Sequence, residues 1–307
     1  MADAHAVADS LTGLATEGVD PRFAHIDTMS PLELATVMNR ADAEVPRAIE
    51  PRLPAIASAV EAIIDRMSRG GRLRYVGAGT AGRMAVVDAS ECPPTFSTPP
   101  DLVKAILAGG PAAMTNAAEG AEDDTDAGAA AMEAEGIGPD DVVVGVTASG
   151  RTPFVLAALT EARNRGALTV GLSCNADARL SRIVEHGIEV VVGNEVVAGS
   201  TRLKSGTAQK LVLNMITTIT MVGLGHTYRN YMVDMRVLNA KLAVRAARMV
   251  AEITGAEHQV AAEALRAADN HAKTAVLMIE RDIDAATARA LLSETDGRLA
   301  AALTHRR

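Results

Sequence analysis

The feature that most constrains the fold is a run of five residues at 142–146, VVVGV, in which four are valine. Asp140 and Asp141 bound the run on one side, and a Ser-Gly pair follows it shortly. A continuous apolar run of this length is typical of a strand buried on both faces, as in a parallel sheet. Similar runs alternate with helical segments along the chain. The sequence therefore predicts an α/β fold, with a doubly wound sheet of about five parallel strands flanked by helices.

The expected elements follow from where the apolar runs begin and end. Strands are predicted at residues 73–76, 102–107, 142–146, 168–172 and 188–192. Helices are predicted at 54–67, 82–90, 111–135 and 153–165, after an earlier one that Ser30 caps and Pro31 opens. Pro93 and Pro94 are expected to end the helix at 82–90, because proline lacks the amide that continues the hydrogen-bond ladder.

From residue 206 onward the strand signals stop. Helices at 206–222 and 229–254, with shorter Ala-rich pieces at 257–269, 273–281 and 284–303, predict a C-terminal helical subdomain. The expected organisation is an N-terminal arm and helix at residues 1–50, an α/β domain at 51–222, and a helical region at 223–307 that includes a small terminal bundle.

The composition excludes several classes of function. Only 2% of the 307 residues are aromatic and the formal net charge is −8. The chain thus offers neither a basic surface nor stacking side chains for nucleic acid. Its apolar runs are shorter than the ~18 residues of a membrane span, so we expect no membrane partner. An N-terminus without a signal-peptide pattern and two distant cysteines, Cys92 and Cys174, predict a cytoplasmic protein.

The glycine-rich loop at 77–82, GAGTAG, follows a predicted strand and opens a predicted helix. It matches the dinucleotide-binding pattern G-x-G-x-x-G. That pattern also requires a second strand that ends in an acidic residue about 20 positions on, and none follows here. Backbone amides at the start of a helix still favour a bound anion. The loop therefore indicates an anion site rather than a nucleotide site.

Three turns rich in hydroxyl groups follow predicted strands or open predicted helices. The first contains Thr80, the second spans residues 147–152, and the third spans residues 200–207. Because the carboxyl ends of parallel strands share one edge, we expect the first two turns to meet, and the third can reach them. Small hydroxyl residues at helix N-termini suit a phosphate monoester, although each Ser or Thr alone can serve as an N-cap. The candidate phosphate-binding residues are Gly79, Thr80, Thr147, Ser149, Arg151, Thr152, Ser200, Thr201 and Lys204.

Carboxylates at two places are candidates for acid–base catalysis. Glu91 ends an apolar helix just before two prolines, where partial desolvation would favour the protonated form that a general acid needs. An ion pair with Arg83 or Arg72 is the alternative. Glu119 and Glu122 lie three residues apart in an acidic run, and their spacing does not choose between them. The seven histidines are scattered, so no metal site is expected.

Several long segments together carry a family resemblance. They are TEGVDPRFAHIDTMS (16–30), GAGTAGRMAVVDASECPPTF (77–96), EGAEDD (119–124), TASGRTPF (147–154), EVVAGSTRLKSGTAQKLVLNM (195–215) and YRNYMVDMRVLNAKL (228–242). On these segments the chain resembles the N-acetylmuramic acid 6-phosphate etherases, which belong to the sugar-isomerase (SIS) phosphosugar-binding superfamily. The similarity covers nearly the whole chain and is weakest beyond about residue 255.

The resemblance implies a lyase that converts N-acetylmuramic acid 6-phosphate to N-acetylglucosamine 6-phosphate and D-lactate, by elimination and water addition, without a cofactor or metal. It implies that Glu91 protonates the departing lactate oxygen, and that Glu122 is the base at C2 and activates the incoming water. It also implies an SIS-type fold and a homodimer. The alternatives are an aldose–ketose isomerase of phosphosugars and a non-catalytic sensor of sugar phosphates.

One position departs from the family pattern. Ala81 stands where members of the resembled family usually have serine. If that hydroxyl contacts the substrate, the chain has lost one hydrogen bond, worth about 0.5–1.5 kcal/mol. Thr80 or the backbone can compensate, and both candidate catalytic glutamates are intact.

Overall fold

The computed structural model describes residues 13–235, 237 and 239–305. Within them lie five strands: β1 (Leu73–Gly77), β2 (Val103–Leu107), β3 (Val142–Val146), β4 (Leu168–Ser173) and β5 (His186–Glu189). All pairs are parallel, and the order in the sheet is β2-β1-β3-β4-β5. The predicted doubly wound sheet of five parallel strands is confirmed. The part of the predicted N-terminal arm that precedes residue 13 lies outside the described residues.

Thirteen α-helices lie within the same described ranges. They are α1 (Pro31–Asp42), α2 (Val45–Ile49), α3 (Leu53–Ser68), α4 (Gly79–Phe96), α5 (Thr125–Ala134), α6 (Pro153–Asn164), α7 (Arg179–Ile183), α8 (Lys204–Gly223), α9 (Ala240–Thr254), α10 (His258–Ala267), α11 (Ala272–Arg281), α12 (Ala285–Glu294) and α13 (Leu299–Thr304). Ser30 caps α1 as predicted, in a capping box with Glu33. No helix in the described part of the chain is long and apolar enough to cross a membrane.

The chain divides into two compact units. The first comprises the described residues up to Ser90 together with Asp101–Thr217, and the second comprises Glu91–Pro100 together with the described residues from Thr218 onward. The domain limits expected at residues 50 and 222 stay predictions.

The first unit is built on the sheet. Every residue of β1 and β3 is buried, which explains why the 142–146 run carries no polar side chain. Arg74 is a charged residue of β1 and is fully buried. Its guanidinium pairs with Glu135 at 3.0 Å and with Asp101 at 2.8 Å. The second unit has a core from helices α9 to α13, with Val250, Leu265, Val276, Leu277 and Leu291 among its fully or nearly fully buried residues.

The prediction that Pro93 and Pro94 end their helix is wrong, because α4 continues through both prolines to Phe96. The two prolines cannot donate to the carbonyls four residues back. The last turn is stabilised by packing instead. Cys92 and Phe96 are buried, and the Phe96 ring lies edge-on to His226 with 6.3 Å between ring centroids.

The single long helix predicted at 111–135 is also wrong. This segment contains 3-10 turns at Pro111–Met114 and Ala121–Asp123, and only Thr125–Ala134 forms an α-helix. Alanine favours a helix throughout. The break occurs because Gly120 adopts a left-handed conformation and Asp124 caps α5 by accepting from the amide of Ala127.

Three other boundaries differ from the sequence prediction. The last strand was predicted at the more apolar residues 188–192. It lies at His186–Glu189 (β5) instead, because these are the residues that pair with β4. The predicted helix at 229–254 is shortened, because Tyr228 and Tyr231 form a small bridge and α9 begins after Asn239, its N-cap. The helix at 284–303 is split into α12 and α13, where Asp296 and Gly297 have positive φ angles.

Candidate active site

A cavity of about 250 Å³ opens in the first unit just past the carboxyl ends of β1 and β3. The last residues of these strands, Gly77 and Val146, are register partners, so the loops that follow them meet. Seven of the sequence-predicted site residues line the cavity: Gly79, Thr80, Glu122, Thr147, Ser149, Thr152 and Thr201. The other lining residues are Glu17, Ala78, Ala81, Ala148, Gly199 and Gln209.

The glycines of the first loop allow β1 and α4 to pack closely. A Cβ on Gly77 would lie 2.7 Å from the backbone of Gly82, and a Cβ on Gly82 would lie 2.3 Å from a Leu107 methyl group. Gly79 starts α4 with a positive φ of 52° and open space at its Cβ position. The G-x-G-x-x-G spacing is therefore explained by strand–helix packing at the edge of a small cavity.

The turn after β3 forms a small hydroxyl network. Thr147 Oγ1 lies 2.7 Å from Thr152 Oγ1 and 3.3 Å from Ser149 Oγ. The Ser149 hydroxyl also accepts from the amide of Arg151 at 3.2 Å. These hydrogen bonds hold the three hydroxyls in place, and all three residues line the cavity.

Only part of the third turn reaches the cavity. Thr201 lines it, whereas Ser200 and Lys204 do not. Lys204 is fully buried and its ammonium donates to the carbonyl oxygen of Val192 at 2.7 Å. Buried Glu195 accepts from the backbone amides of Lys204 and Ser205, each at 2.9 Å, so an internal carboxylate occupies the N-terminus of α8. Sequence reasoning missed Glu195, which precedes the helix by nine residues.

Arg151 also lies elsewhere. Its exposed side chain borders a separate surface depression with Asp177, Arg179 and Arg182. The structure thus brings most of the predicted hydroxyls together and leaves the predicted cations Arg151 and Lys204 outside the cavity.

Glu122 occupies a distinctive position between two cavities. It lines the one described above and also a neighbouring cavity of about 230 Å³, and Ala78 and Gly79 are likewise shared. Glu119 lines only the second cavity. The two glutamates do not share a helix face, because Glu122 sits in a 3-10 turn that begins after left-handed Gly120.

Glu91 belongs to the second unit and its side chain is exposed. The expectation of a partly desolvated carboxyl is therefore wrong, because the buried faces of the last α4 turn are occupied by Cys92 and Phe96. The two arginines of the alternative ion pair have other partners. Arg72 pairs with Asp141 at 2.8 Å, and Arg83 donates to two backbone carbonyl oxygens.

Gln209 is one of the lining residues that were not among the predicted site residues. It is fully buried, and its side-chain amide nitrogen and oxygen have no hydrogen-bond partner among the described residues. A signal was present in the sequence, since Gln209 precedes buried Val212 and Leu213 by three and four positions on α8. A polar residue on the buried face of a helix indicates either an internal partner or a ligand.

Comparisons with known proteins agree with this architecture. The N-terminal SIS domain of glucokinase regulatory protein matches residues 55–163, the SIS domain matches 118–219, and the C-terminal lid domain of glucokinase regulatory protein matches 229–295. The phosphoheptose isomerase of Francisella tularensis has the same fold, with a TM-score of 0.51 at 21% identity over 63% of this chain and 100% of that one. The chain is therefore an SIS-domain protein with an additional helical domain.

Closer relatives define the family within this class. The N-acetylmuramic acid 6-phosphate etherase of Streptomyces avermitilis is 55% identical over 95% of this chain and 94% of its own length. The etherase of Rubrobacter xylanophilus is 52% identical over 93% of this chain and 98% of its own length. The etherase of Mycolicibacterium smegmatis is 48% identical over 95% of this chain and 98% of its own length. The chain belongs to the N-acetylmuramic acid 6-phosphate etherase family.

Proposed function

We propose that Glu91 and Glu122 are the two catalytic carboxylates with which this chain performs the reaction of its family. The chain is a carbon–oxygen lyase that cleaves the D-lactyl ether of N-acetylmuramic acid 6-phosphate. The single observation that carries this function is identity of about half the residues with etherases over nearly the full length of both chains. The cavity at the ends of β1 and β3 supports the assignment of Glu122, which lines it, and the assignment of Glu91 rests on its place in the DASECPP segment.

The first step is proton abstraction from C2. In the open-chain sugar the C1 aldehyde acidifies the C2 proton, and Glu122 accepts it. The electron pair of the C2–H bond then forms a C2–C3 double bond as the C3–O bond breaks. Support for Glu122 as the base comes from its place in the lining of both cavities.

The second half of the reaction concerns the leaving group and water. Glu91 donates its proton to the ether oxygen as that oxygen departs with the lactate. Glu122 passes its proton through solvent to Glu91, accepts a proton from the water that adds at C3, and delivers that proton to C2. This gives N-acetylglucosamine 6-phosphate and leaves both carboxyl groups in their starting protonation states. Glu91 is intact within DASECPP, the segment that distinguishes the etherase reaction from a simple isomerisation.

The phosphate is held remotely from the reacting carbons. Its ligands are the hydroxyls of Thr80, Thr147, Ser149 and Thr152, which line the cavity, together with backbone amides at the start of α4. The network around Thr147 presents these hydroxyls in fixed positions, which reduces the entropy lost on binding. Binding energy from the phosphate orients the reacting end of the sugar.

A direct assay tests the function. Purified protein is incubated with N-acetylmuramic acid 6-phosphate, and D-lactate and N-acetylglucosamine 6-phosphate are measured as equimolar products. N-Acetylglucosamine 6-phosphate, which lacks the ether, is the matched control and gives no lactate. Folded protein that releases no lactate would contradict the proposal. Conversion of aldose to ketose phosphosugars without lactate would instead indicate the isomerase alternative.

The remaining proposals concern assembly and location. We infer that the chain is a cytoplasmic homodimer that uses α8 as contact surface, because Ile219 and Val222 lie three positions apart there with 45% and 48% of their surfaces exposed. Light scattering should then give twice the 31.8 kDa mass of one chain.

A further inference from the structure

Gln209 is a buried amide at the wall of the cavity, and none of the described residues is its hydrogen-bond partner. Its residue exposure is 0%, and neither Nε2 nor Oε1 has a hydrogen-bond partner among the described residues. Most buried polar side chains in folded proteins have at least one partner. An amide that loses water on folding and gains nothing in return is a feature that a bound ligand would explain.

The surroundings of Gln209 place it at the cavity rather than in a sealed core. Gly206 lies three positions earlier on α8, and therefore on the same side of the helix. The Thr80 methyl group lies 3.3 Å from the position of a Cβ on Gly206, so the loop after β1 contacts this side of α8. Thr80, Thr201 and Gln209 all line the same cavity.

The chemistry of an amide narrows the choice of ligand group. A phosphate monoester offers only acceptor oxygens to a protein, and would leave Oε1 of Gln209 facing negative charge. A sugar hydroxyl both donates and accepts, so it satisfies Nε2 and Oε1 in turn. The hydroxyls of Thr147, Ser149 and Thr152, proposed above as phosphate ligands, line the same cavity.

We infer that Gln209 is a substrate-binding residue that hydrogen-bonds a hydroxyl group of the phosphosugar rather than its phosphate. This inference rests on the proposed function only in placing a phosphosugar in the cavity. If the inference is correct, α8 recognises the hydroxyl groups of the phosphosugar. Gln209 then favours the binding of phosphorylated sugars over that of other phosphate monoesters.

The test compares wild-type protein with Gln209→Met, which keeps the length of the side chain and removes the amide. Affinity for N-acetylglucosamine 6-phosphate should fall roughly 10- to 100-fold, since one or two hydrogen bonds are lost. Inhibition by inorganic phosphate should not change. The thermal midpoint of the free variant should stay level or rise by about 2–4 °C, because the variant removes a buried amide that has no partner among the described residues.

The control is Ser205→Ala, one helical turn earlier on α8. Ser205 Oγ is also buried without a partner among the described residues, but Ser205 does not line the cavity. This variant should leave phosphosugar affinity unchanged. Gln209→Asn, with a shortened amide, serves as a second test if the Met variant does not fold, and it should also weaken phosphosugar binding.

Three results would overturn the inference. They are unchanged phosphosugar affinity in the Gln209 variants, an equal loss of affinity for inorganic phosphate, and a destabilised free protein with normal binding. Binding is measured without turnover, so it is independent of the lactate assay. Wild-type protein that binds the phosphosugar but releases no lactate contradicts only the proposed function. Lactate release with unchanged binding in Gln209→Met contradicts only this inference.

Discussion

Lys273 Nζ lies 2.6 Å from Asp234 Oδ2 in the second unit, and both side chains are less than a tenth exposed. The same carboxylate oxygen lies 2.9 Å from Nδ1 of His226. The Ser97 hydroxyl donates to the backbone carbonyl oxygen of Asp234. Since Ser97 follows Glu91 in the segment 91–100, this buried pair ties the segment that carries the proposed acid to α11.

Breaking this pair should destabilise the second unit. In Lys273→Met the Asp234 carboxylate stays buried without its cation, and removal of one partner from a buried pair typically costs about 3–5 kcal/mol. Urea unfolding followed by circular dichroism measures the loss. The control is Arg289→Met, which removes an exposed partner of Asp269 and should cost less than about 1 kcal/mol. Equal losses in the two variants would show that burial does not set the strength of the Asp234 pair.

The two glutamates should fail at different steps. Glu122→Gln and Glu91→Gln should each lower kcat for lactate release by about 10²- to 10⁴-fold. In D₂O, Glu91→Gln should still exchange the C2 proton of the substrate, because the base remains, whereas Glu122→Gln should not. Mass spectrometry of recovered substrate measures the exchange. Asp123→Asn, the next residue in the same turn, is the control and should behave like wild type. Exchange that survives in Glu122→Gln would reassign the base.

Ala81 offers a gain-of-binding experiment. The residue is buried and lines the cavity. Ala81→Ser places a hydroxyl there, and one added hydrogen bond to the substrate is worth about 0.5–1.5 kcal/mol, or roughly a 2- to 12-fold lower KM. Steady-state lactate release measures KM and kcat separately. A KM that rises or stays constant would show that a serine at this position makes no direct contact with substrate in this cavity.

Much of the sheet was predictable because buried parallel strands leave a strong local signal. The 142–146 run has no polar side chain, and its predicted and observed limits agree. The hydroxyls that follow β1 and β3 were also predictable, because topology alone brings strand ends together. The predictions that failed concern features that depend on contacts between residues distant in the sequence. Lys204 could not be excluded from the cavity without knowledge that its ammonium donates to the carbonyl oxygen of Val192. The continuation of α4 past two prolines depends on the burial of Cys92 and Phe96.

Asp88 on α4 is a buried carboxylate within the first unit. It accepts from Asn214 Nδ2 at 2.6 Å, from the Tyr75 hydroxyl at 3.0 Å and from Thr217 Oγ1 at 3.1 Å. Burial raises the pKa of Asp88 above its ordinary value of 3.8, and the three hydrogen bonds and the charge of Lys210 only partly oppose this shift.

This shift gives a pH dependence of stability with a definite sign. Because the pKa of Asp88 is higher in the folded protein, the folded state binds the proton more tightly than the unfolded chain does. The contribution of Asp88 to stability is therefore greatest when it is protonated, and it declines as the pH rises from 3.8 through the folded pKa. Asp88→Asn removes this decline, so the free energy of unfolding of the variant should increase relative to that of wild type as the pH rises above 3.8. Urea unfolding at several pH values measures the difference, with Asp65→Asn at an exposed site of α3 as the control. A difference between Asp88→Asn and wild type that does not change with pH would mean that burial of this carboxylate has no net cost.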